Sequence, residues 1–250
     1  MFKTFFVASF LEQQASLSQL LHESHIKVDF YFLLALASFI TTLGMITDDV
    51  GVTVGGIFIA PLLLPLLSLA MGIVTMSALA IGRATRIILK SSALIFGVSL
   101  ITAFLFSNNV VGSEILLRIK PDLIMLLIAF ASGVAVAYSW VKQDLSAALP
   151  GVAVSVSLLP PLAAAAIGVV MLNRIVVAGA LTMFMMNLAA TVVGAILVFS
   201  LYGFARLQRE EEEKIAEEKY EEKIQHDALV QVAKMKARKK AKVITETNFL

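Results

Sequence analysis

Apolar runs separated by short polar stretches fill the chain from about residue 30 to residue 205. A helix needs roughly 20 mainly apolar residues to cross a bilayer core about 30 Å thick. Six stretches approach or exceed that length: Phe30–Thr47, Val50–Gly82, Ile87–Phe106, Leu123–Val141, Leu145–Leu172 and Ile175–Ala205. Backbone groups in lipid must be hydrogen-bonded within their own segment, and the sequence lacks the short alternating segments of an outer-membrane barrel. The pattern predicts an all-α, polytopic membrane protein of about six spans.

Composition supports that class and excludes others. Hydrophobic residues make up 59% of the 250 residues and charged residues 15%, against about 45–50% and 25% in ordinary soluble domains. The sequence contains no cysteine, which excludes a disulfide framework, a thiolate nucleophile and a cysteine metal site.

The basic residues near the span ends predict the orientation, because cytoplasmic loops carry the excess of lysine and arginine. With the N-terminus in the cytoplasm, the inner side holds Lys27, Arg83, Arg86, Lys90, Lys142, Arg206 and Arg209, and the outer side holds Arg118, Lys120 and Arg174. This count favours an inner-membrane protein with both termini in the cytoplasm.

Residues 1–27 and 204–250 flank the apolar body and differ from it in composition. The first segment scatters apolar side chains among polar ones, which is typical of an amphipathic helix at the membrane interface; a frayed polar terminus is the alternative. The second segment holds 21 of the 38 charged residues, with glutamates followed by lysines. That order favours a charged cytoplasmic helix and does not indicate a nucleic-acid-binding surface.

An internal repeat relates the two halves of the apolar body. Shifting the sequence by 95 positions places Asp49–Val74 on Asp144–Val169 without a gap and gives eight identities in 26 pairs, including matched aspartate, glycine and proline. The shift defines two units of three spans, residues 28–106 and 123–203, joined by an outer loop at 107–122. Because three is odd, the second unit enters the membrane from the opposite side. The repeat is therefore predicted to be inverted.

Prolines are predicted to break the second and fifth segments at corresponding places. Proline lacks an amide donor and clashes with the carbonyl four residues earlier, so Pro61 and Pro65 leave the carbonyls of Ile57 and Pro61 without helical donors. The fifth segment repeats the arrangement with Pro150, Pro160 and Pro161. At membrane depth, such carbonyls survive only against protein, water or a bound ion. A proline kink healed by neighbouring hydroxyl groups is the alternative.

Inverted repeats with interrupted segments at matching positions indicate a transport site near the midplane of the membrane. The half-helices that begin near Leu66 and Leu162 would present positive dipole ends suited to an anion. The candidate residues of the solute or ion pathway are Gly56, Ala60, Pro61, Pro65, Gly151, Ser155, Ser157, Pro160, Pro161 and Asn187.

Polar residues inside or at the edges of the spans each have two interpretations. Asn187, which the repeat pairs with Ser92, either lines the pathway or makes a hydrogen bond between helices. The aspartates at segment entrances are interpreted as N-caps, with a cation vestibule as the alternative. They are Asp48, Asp49 and Asp144.

The interior lacks the groups that catalysis requires. No Asp, Glu, Lys, Arg or His lies in the middle of a span, so a proton relay or an intramembrane protease has no reacting group. His22, His25 and His226 lie outside the spans and form no zinc-binding His-Glu-x-x-His motif. Ser155 and Ser157 have no histidine base. We expect no enzyme, no catalytic residue, no cofactor and no metal site.

Three motifs resemble those of a known family. They are Gly55-Gly-Ile-Phe-Ile-Ala-Pro-Leu-Leu-Leu-Pro65, Glu114-Ile-Leu-Leu-Arg-Ile-Lys-Pro121, and Leu145-Ser-Ala-Ala-Leu-Pro-Gly151 leading into Ser157-Leu-Leu-Pro-Pro-Leu-Ala163. On these residues, the chain resembles a family of bacterial and archaeal hydrophobic membrane proteins catalogued only as a domain of unknown function. The resemblance implies a multi-pass protein of the bacterial or archaeal cytoplasmic membrane and supplies no substrate.

Two functions from different classes fit the sequence. The first is a secondary transporter or channel for a small solute or ion, with its site where the two proline-broken segments cross near the midplane. The second is a non-transporting scaffold that oligomerises through its small-residue faces and recruits partners through its charged tail. The expected partners are the lipid bilayer and a small solute or ion. A homo-oligomer is left open, and no nucleic acid is expected.

Overall fold

A computed structural model describes residues 16–17, 20, 28–107, 110–142 and 148–204. Regular structure in these residues is helical. The helices are α1 Val28–Ile46, α2 Val50–Ile59, α3 Leu63–Val74, α4 Ala78–Phe106, α5 Ser113–Leu116, α6 Leu123–Val141, α7 Ala148–Val170 and α8 Arg174–Leu201. The charged tail predicted to be a helix lies outside the described residues, except for Phe204.

Four helices, α1, α4, α6 and α8, are long and apolar enough to cross a membrane, and the bent pair of α2 and α3 adds a fifth if it counts as one span. Large apolar side chains face outward from these helices, among them Phe32, Phe104 and Val193. Such a surface suits hydrocarbon and not water. The apolar helices therefore indicate an all-helical membrane protein.

The predicted boundary between the second and third segments is wrong. Only residues 75–77 separate α3 from α4, whereas the sequence pattern put the separation between Gly82 and Ile87. The reason is a local N-cap: the Ser77 hydroxyl accepts a hydrogen bond from the backbone N–H of Ala80 at 3.3 Å, which starts the helix early. The arginines that follow lie on the first turns of α4, because long basic side chains can reach the interface from a helix end.

Two helical hairpins, α3 with α4 and α7 with α8, are closed by the same kind of turn. The N–H of Ser77 donates to the Gly72 carbonyl, and the N–H of Asn173 donates to the Gly168 carbonyl, each at 2.9 Å. Both glycines are needed for close helix contact, since an added Cβ would lie 2.9 Å and 2.8 Å from side chains of α4 and α8, respectively. Each residue of the first turn precedes its counterpart in the second by 96 positions.

The fifth segment of the sequence, α7, lies at the centre of the protein. It contacts α4 and α8 most extensively and also touches α1, α2, α3 and α6. Every residue from Ser157 to Gly168 is buried. Hydroxyl groups support the packing around it, as where Thr42 of α1 donates to Ser99 of α4 at 2.8 Å. A helix enclosed in this way can acquire hydrogen-bond partners from its neighbours, which becomes important at its prolines.

The segment before α1 packs into the protein core where it is described. Leu17 and Leu20 are buried against the core cluster that contains Trp140. The indole Nε1 of Trp140 donates to the Ser16 carbonyl at 3.2 Å. The remainder of the predicted interfacial helix, residues 1–15, 18–19 and 21–27, lies outside the described residues.

Candidate functional site

The first proline-rich segment is bent between α2 and α3. The two helices meet at 58°, and residues 60–62 between them are not helical. The sequence predicted that the Ile57 carbonyl would lack a donor because of Pro61, but the N–H of Ala60 donates to it at 3.1 Å. The bend therefore leaves the carbonyl of Ala60, and not that of Ile57, to be satisfied from outside the segment.

The second helix of the bent pair begins without a side-chain cap. Leu62 occupies the N-cap position of α3 and makes no side-chain hydrogen bond there. Pro65 lies in the first helical turn, where its missing N–H costs little. The first N–H groups of a helix have no partner within it. The start of α3 thus offers backbone donors to whatever lies beside it.

The fifth segment is not broken, contrary to the sequence prediction. Helix α7 continues through Pro160 and Pro161. Pro161 cannot donate to the carbonyl of Ser157, four residues earlier, and the Asn187 side-chain amide donates to that carbonyl instead, at 2.8 Å. Asn187 is buried and lies on α8. Its hydrogen bond is the interhelical one that the sequence left as an alternative, and it compensates for the donor that proline lacks.

The bend of the first segment contacts the unbroken helix directly. The Ser155 hydroxyl on α7 donates to the Ala60 carbonyl at 3.0 Å. Ser155 is 1% exposed, whereas Ala60 is half-buried, so the bond is partly buried. The nearby Ser157 hydroxyl donates within its own helix, to the Val154 carbonyl at 2.8 Å. Of the two candidate serines, only Ser155 joins the two predicted breakpoints.

A small cavity lies beside this contact, among α3, α4, α7 and α8. The cavity volume that the centre of a water molecule can occupy is about 20 Å³. This volume holds about one water molecule. The lining residues are Leu62, Pro65, Leu66, Ile88, Ser91, Ser92, Ile95, Leu158, Leu162, Phe184 and Leu188. Ser91 and Ser92 supply the side-chain hydroxyls of an otherwise apolar wall.

Residues that line the cavity show the same sequence spacing of 96 positions as the turns of the two hairpins. Eight of its residues form four pairs that are 96 positions apart: Leu62 with Leu158, Leu66 with Leu162, Ile88 with Phe184, and Ser92 with Leu188. Before the bend the spacing is 95, as the bounds of α1 and α6 show. The second half thus contains one more residue at this point, whereas the sequence alignment assumed no gap.

Ser91 is the residue that sequence reasoning missed. It is 1% exposed, and its hydroxyl has no hydrogen-bond partner among the described residues. The gapless alignment paired Asn187 with Ser92, while a spacing of 96 pairs it with Ser91. Recognising Ser77 and Asn173 as equivalent caps would have given that spacing from the sequence.

The remaining predicted site residues are distributed over α2, the bend, α3 and α7. Gly56 packs α2 against α1, since an added Cβ would lie 2.9 Å from the Ala37 carbonyl oxygen. Pro61 is half-buried at the bend, while Pro160 and Pro161 are buried within α7. Gly151 lies on the first turn of α7. Pro65 is the predicted residue that lines the cavity.

A polar cluster lies at the turn between α1 and α2, beside α5. The Asp48 carboxylate accepts from the Glu114 N–H and the Ser113 hydroxyl, each at 2.8 Å, and these bonds hold the pKa of Asp48 below its usual value. Glu114 is buried and lies 3.7 Å from the Arg118 guanidinium. Asp49 caps α2 through the N–H of Val52, as predicted, while Asp48 binds the start of α5.

The chain matches other proteins over its helical body. Residues 57–193, just over half of the chain, match the family described as "Domain of unknown function (DUF389)". The uncharacterized protein MJ0678 of Methanocaldococcus jannaschii is 27% identical over 180 residues, which cover 69% of this chain and 54% of that protein. The chain thus spans about half the length of this curated relative. No solved structure gives a significant match. The chain belongs to the DUF389 family.

Proposed function

We propose that the protein is an inner-membrane secondary transporter or channel for a small solute or ion, with a pathway that passes between the α2–α3 bend and α7. The observation that carries the proposal is the hydrogen bond from Ser155 to the Ala60 carbonyl. It joins freed backbone of one half to a buried polar side chain of the other. Non-helical backbone at membrane depth is tolerated where it is buried in protein or lines a cavity.

The proposal includes an inverted repeat, which the spacing of the contacting residues supports. Ala60 and Ser155 are 95 positions apart, which is the offset of the predicted repeat, and two equivalent residues in contact would lie beside an axis relating the two halves. Leu20 and Ile115 have the same spacing and are both buried, each ahead of the first helix of its half. In inverted-repeat transporters, the substrate site lies at the interface between the repeats.

Six spans fit this proposal. Helix α7 has 23 residues, which is about 35 Å at 1.5 Å per residue, and the bent pair counts as one span. Each half then contributes three crossings: α1, the bent pair and α4 in the first, and α6, α7 and α8 in the second. An odd number of crossings per half gives the two halves opposite orientations in the membrane.

Flux into proteoliposomes tests the proposal. Purified protein is reconstituted and assayed with a panel of small anions, cations and neutral solutes, first as the wild type and then as Ser155→Ala. We expect wild-type flux for at least one solute and a loss of about tenfold in Ser155→Ala, because the Ala60 carbonyl loses its donor at the bend. Ser139→Ala is the matched control: Ser139 is also nearly buried, but its hydroxyl donates only within α6.

The scaffold alternative predicts the opposite result. In that case the folded wild-type protein moves none of the solutes, and the isolated tail from residue 205 retains a binding partner. Equal flux in wild type and Ser155→Ala would show that the pathway does not depend on the contact between the two halves.

A further inference from the structure

We propose that the small cavity binds a single monovalent anion of the halide class, held by the Ser91 hydroxyl beside the positive dipole end of α3. The inference rests on the proposed function for its place in a pathway, but the binding itself can be measured without transport. Two independent features of the cavity support it, one on α4 and one on α3.

The first feature is the hydroxyl of Ser91. Its side chain lines the cavity, and its buried oxygen has no hydrogen-bond partner among the described residues. Burying a polar group without a partner carries a free-energy penalty. Other buried hydroxyls of the same helix are satisfied: Ser99 accepts from Thr42, and Thr102 donates to the Val98 carbonyl. A ligand in the cavity would supply the partner that Ser91 lacks.

The second feature is the start of α3, whose first turn forms part of the same wall through Leu62, Pro65 and Leu66. No side chain caps this helix. Its 12 residues contribute a positive dipole end and N–H groups without helical partners. A hydroxyl donor and a positive helix end in the wall of one small space are suited to an anion.

Size and charge restrict the anion. The space for about one water excludes larger oxyanions in the described conformation. No basic side chain lines the cavity, so a doubly charged ion would be buried without a counter-charge, at a large cost in free energy. A halide carries one charge and loses its hydration shell more easily than a divalent ion.

Basic residues on α4, the helix that carries Ser91, would attract an anion toward the cavity. Arg83, Arg86 and Lys90 lie on the first four turns of α4, and Arg86 and Lys90 are exposed. None of them lines the cavity. They would raise the local anion concentration near the entrance without trapping the ion.

Thermal unfolding of the purified protein in detergent measures binding directly. Chloride or bromide replaces gluconate at constant ionic strength, and unfolding is followed through the fluorescence of Trp140, the one tryptophan in the sequence. We expect Tm to rise saturably with halide, as a ligand specific to the folded state requires. Ser91→Ala should weaken the apparent affinity about tenfold or more, because a hydrogen bond to a charged group is lost.

Two variants control for folding. Ser91→Thr keeps the hydroxyl and should retain halide binding. Ser99→Ala removes an equally buried hydroxyl two turns along α4, outside the cavity wall, and should leave the halide affinity unchanged. Anomalous scattering from bromide-soaked crystals of the wild type should place the ion beside Ser91.

The outcomes separate this inference from the proposed function. Equal halide and gluconate curves, or equal halide affinity in Ser91→Ala, would overturn the halide site even if another solute is transported. Saturable binding lost in Ser91→Ala would establish the site even if no solute crosses the membrane, in which case the transport proposal alone fails.

Discussion

The Ser155 hydroxyl and the Ala60 carbonyl are 3.0 Å apart and 95 positions apart in the sequence. That separation equals the offset between α1 and α6, whose bounds match residue for residue. The contact therefore joins two residues that have the same offset as these two helices. The chain is bent at Ala60, whereas α7 is unbroken at Ser155, so the two residues lie in different backbone conformations.

The unbroken state of α7 should depend on Asn187. Asn187→Ala removes the donor to the Ser157 carbonyl and leaves that buried group unsatisfied, which costs about 1–3 kcal/mol. We expect a lower free energy of unfolding and faster hydrogen exchange in α7 beyond Pro161. Thr182→Ala on the same helix, where the hydroxyl donates only to Ala178, is the control and should change either measurement little. Equal exchange in both variants would contradict the assigned role.

The bend between α2 and α3 should depend on Pro61. Pro61→Ala restores an N–H and removes the clash with the preceding turn, so a straighter helix becomes accessible. We expect flux in proteoliposomes to fall severalfold while thermal stability is kept or increased. Pro121→Ala, in the loop before α6, removes an exposed proline outside the bend and should leave flux unchanged. Undiminished flux in Pro61→Ala would show that the bend is not part of the pathway.

Two adjacent glycines should respond differently to the same substitution. Gly56→Ala places a Cβ against α1, 2.9 Å from the Ala37 carbonyl oxygen, whereas a Cβ at Gly55 meets nothing within 4 Å. Overpacking typically costs about 1–3 kcal/mol, while alanine in an open helical position gains about 0.5–1 kcal/mol over glycine. Thermal unfolding in detergent should therefore show a lower Tm for Gly56→Ala and an unchanged or higher one for Gly55→Ala. Matching losses would argue against the close packing of α1 and α2.

Protonation of Asp48 should lower the stability of the folded protein at acid pH. Its folded-state pKa is lowered by the Glu114 N–H and the Ser113 hydroxyl, so its contribution is present above the ordinary carboxyl pKa and is lost as pH falls through the lower folded value. Asp48→Asn keeps an acceptor but removes the titration. We expect wild-type Tm to decline more steeply than that of Asp48→Asn below about pH 4. Parallel declines would contradict this assignment.

Features of this protein that arise from interactions between nearby residues could be predicted from its sequence. The sequence alone predicted the apolar helices, the offset of 95 before the bend, the Asp49 cap and the disruption at Pro61. These features follow from hydrophobicity, proline chemistry and capping, which act within a few residues. The boundary at residues 75–77 was also encoded locally by Ser77, but the continuous apolar pattern obscured it.

The tertiary structure decided what the second set of prolines does and where a ligand could lie. Pro160 and Pro161 do not break α7, and Asn187 on another helix, 26 residues further along the chain from Pro161, supplies the donor that Pro161 lacks. The cavity and the unpartnered Ser91 arise only when four helices pack together. Hydrophobic patterning fixes which residues become helices in a membrane, but the partners of a freed carbonyl or a buried hydroxyl come from distant segments, and only their packing determines them.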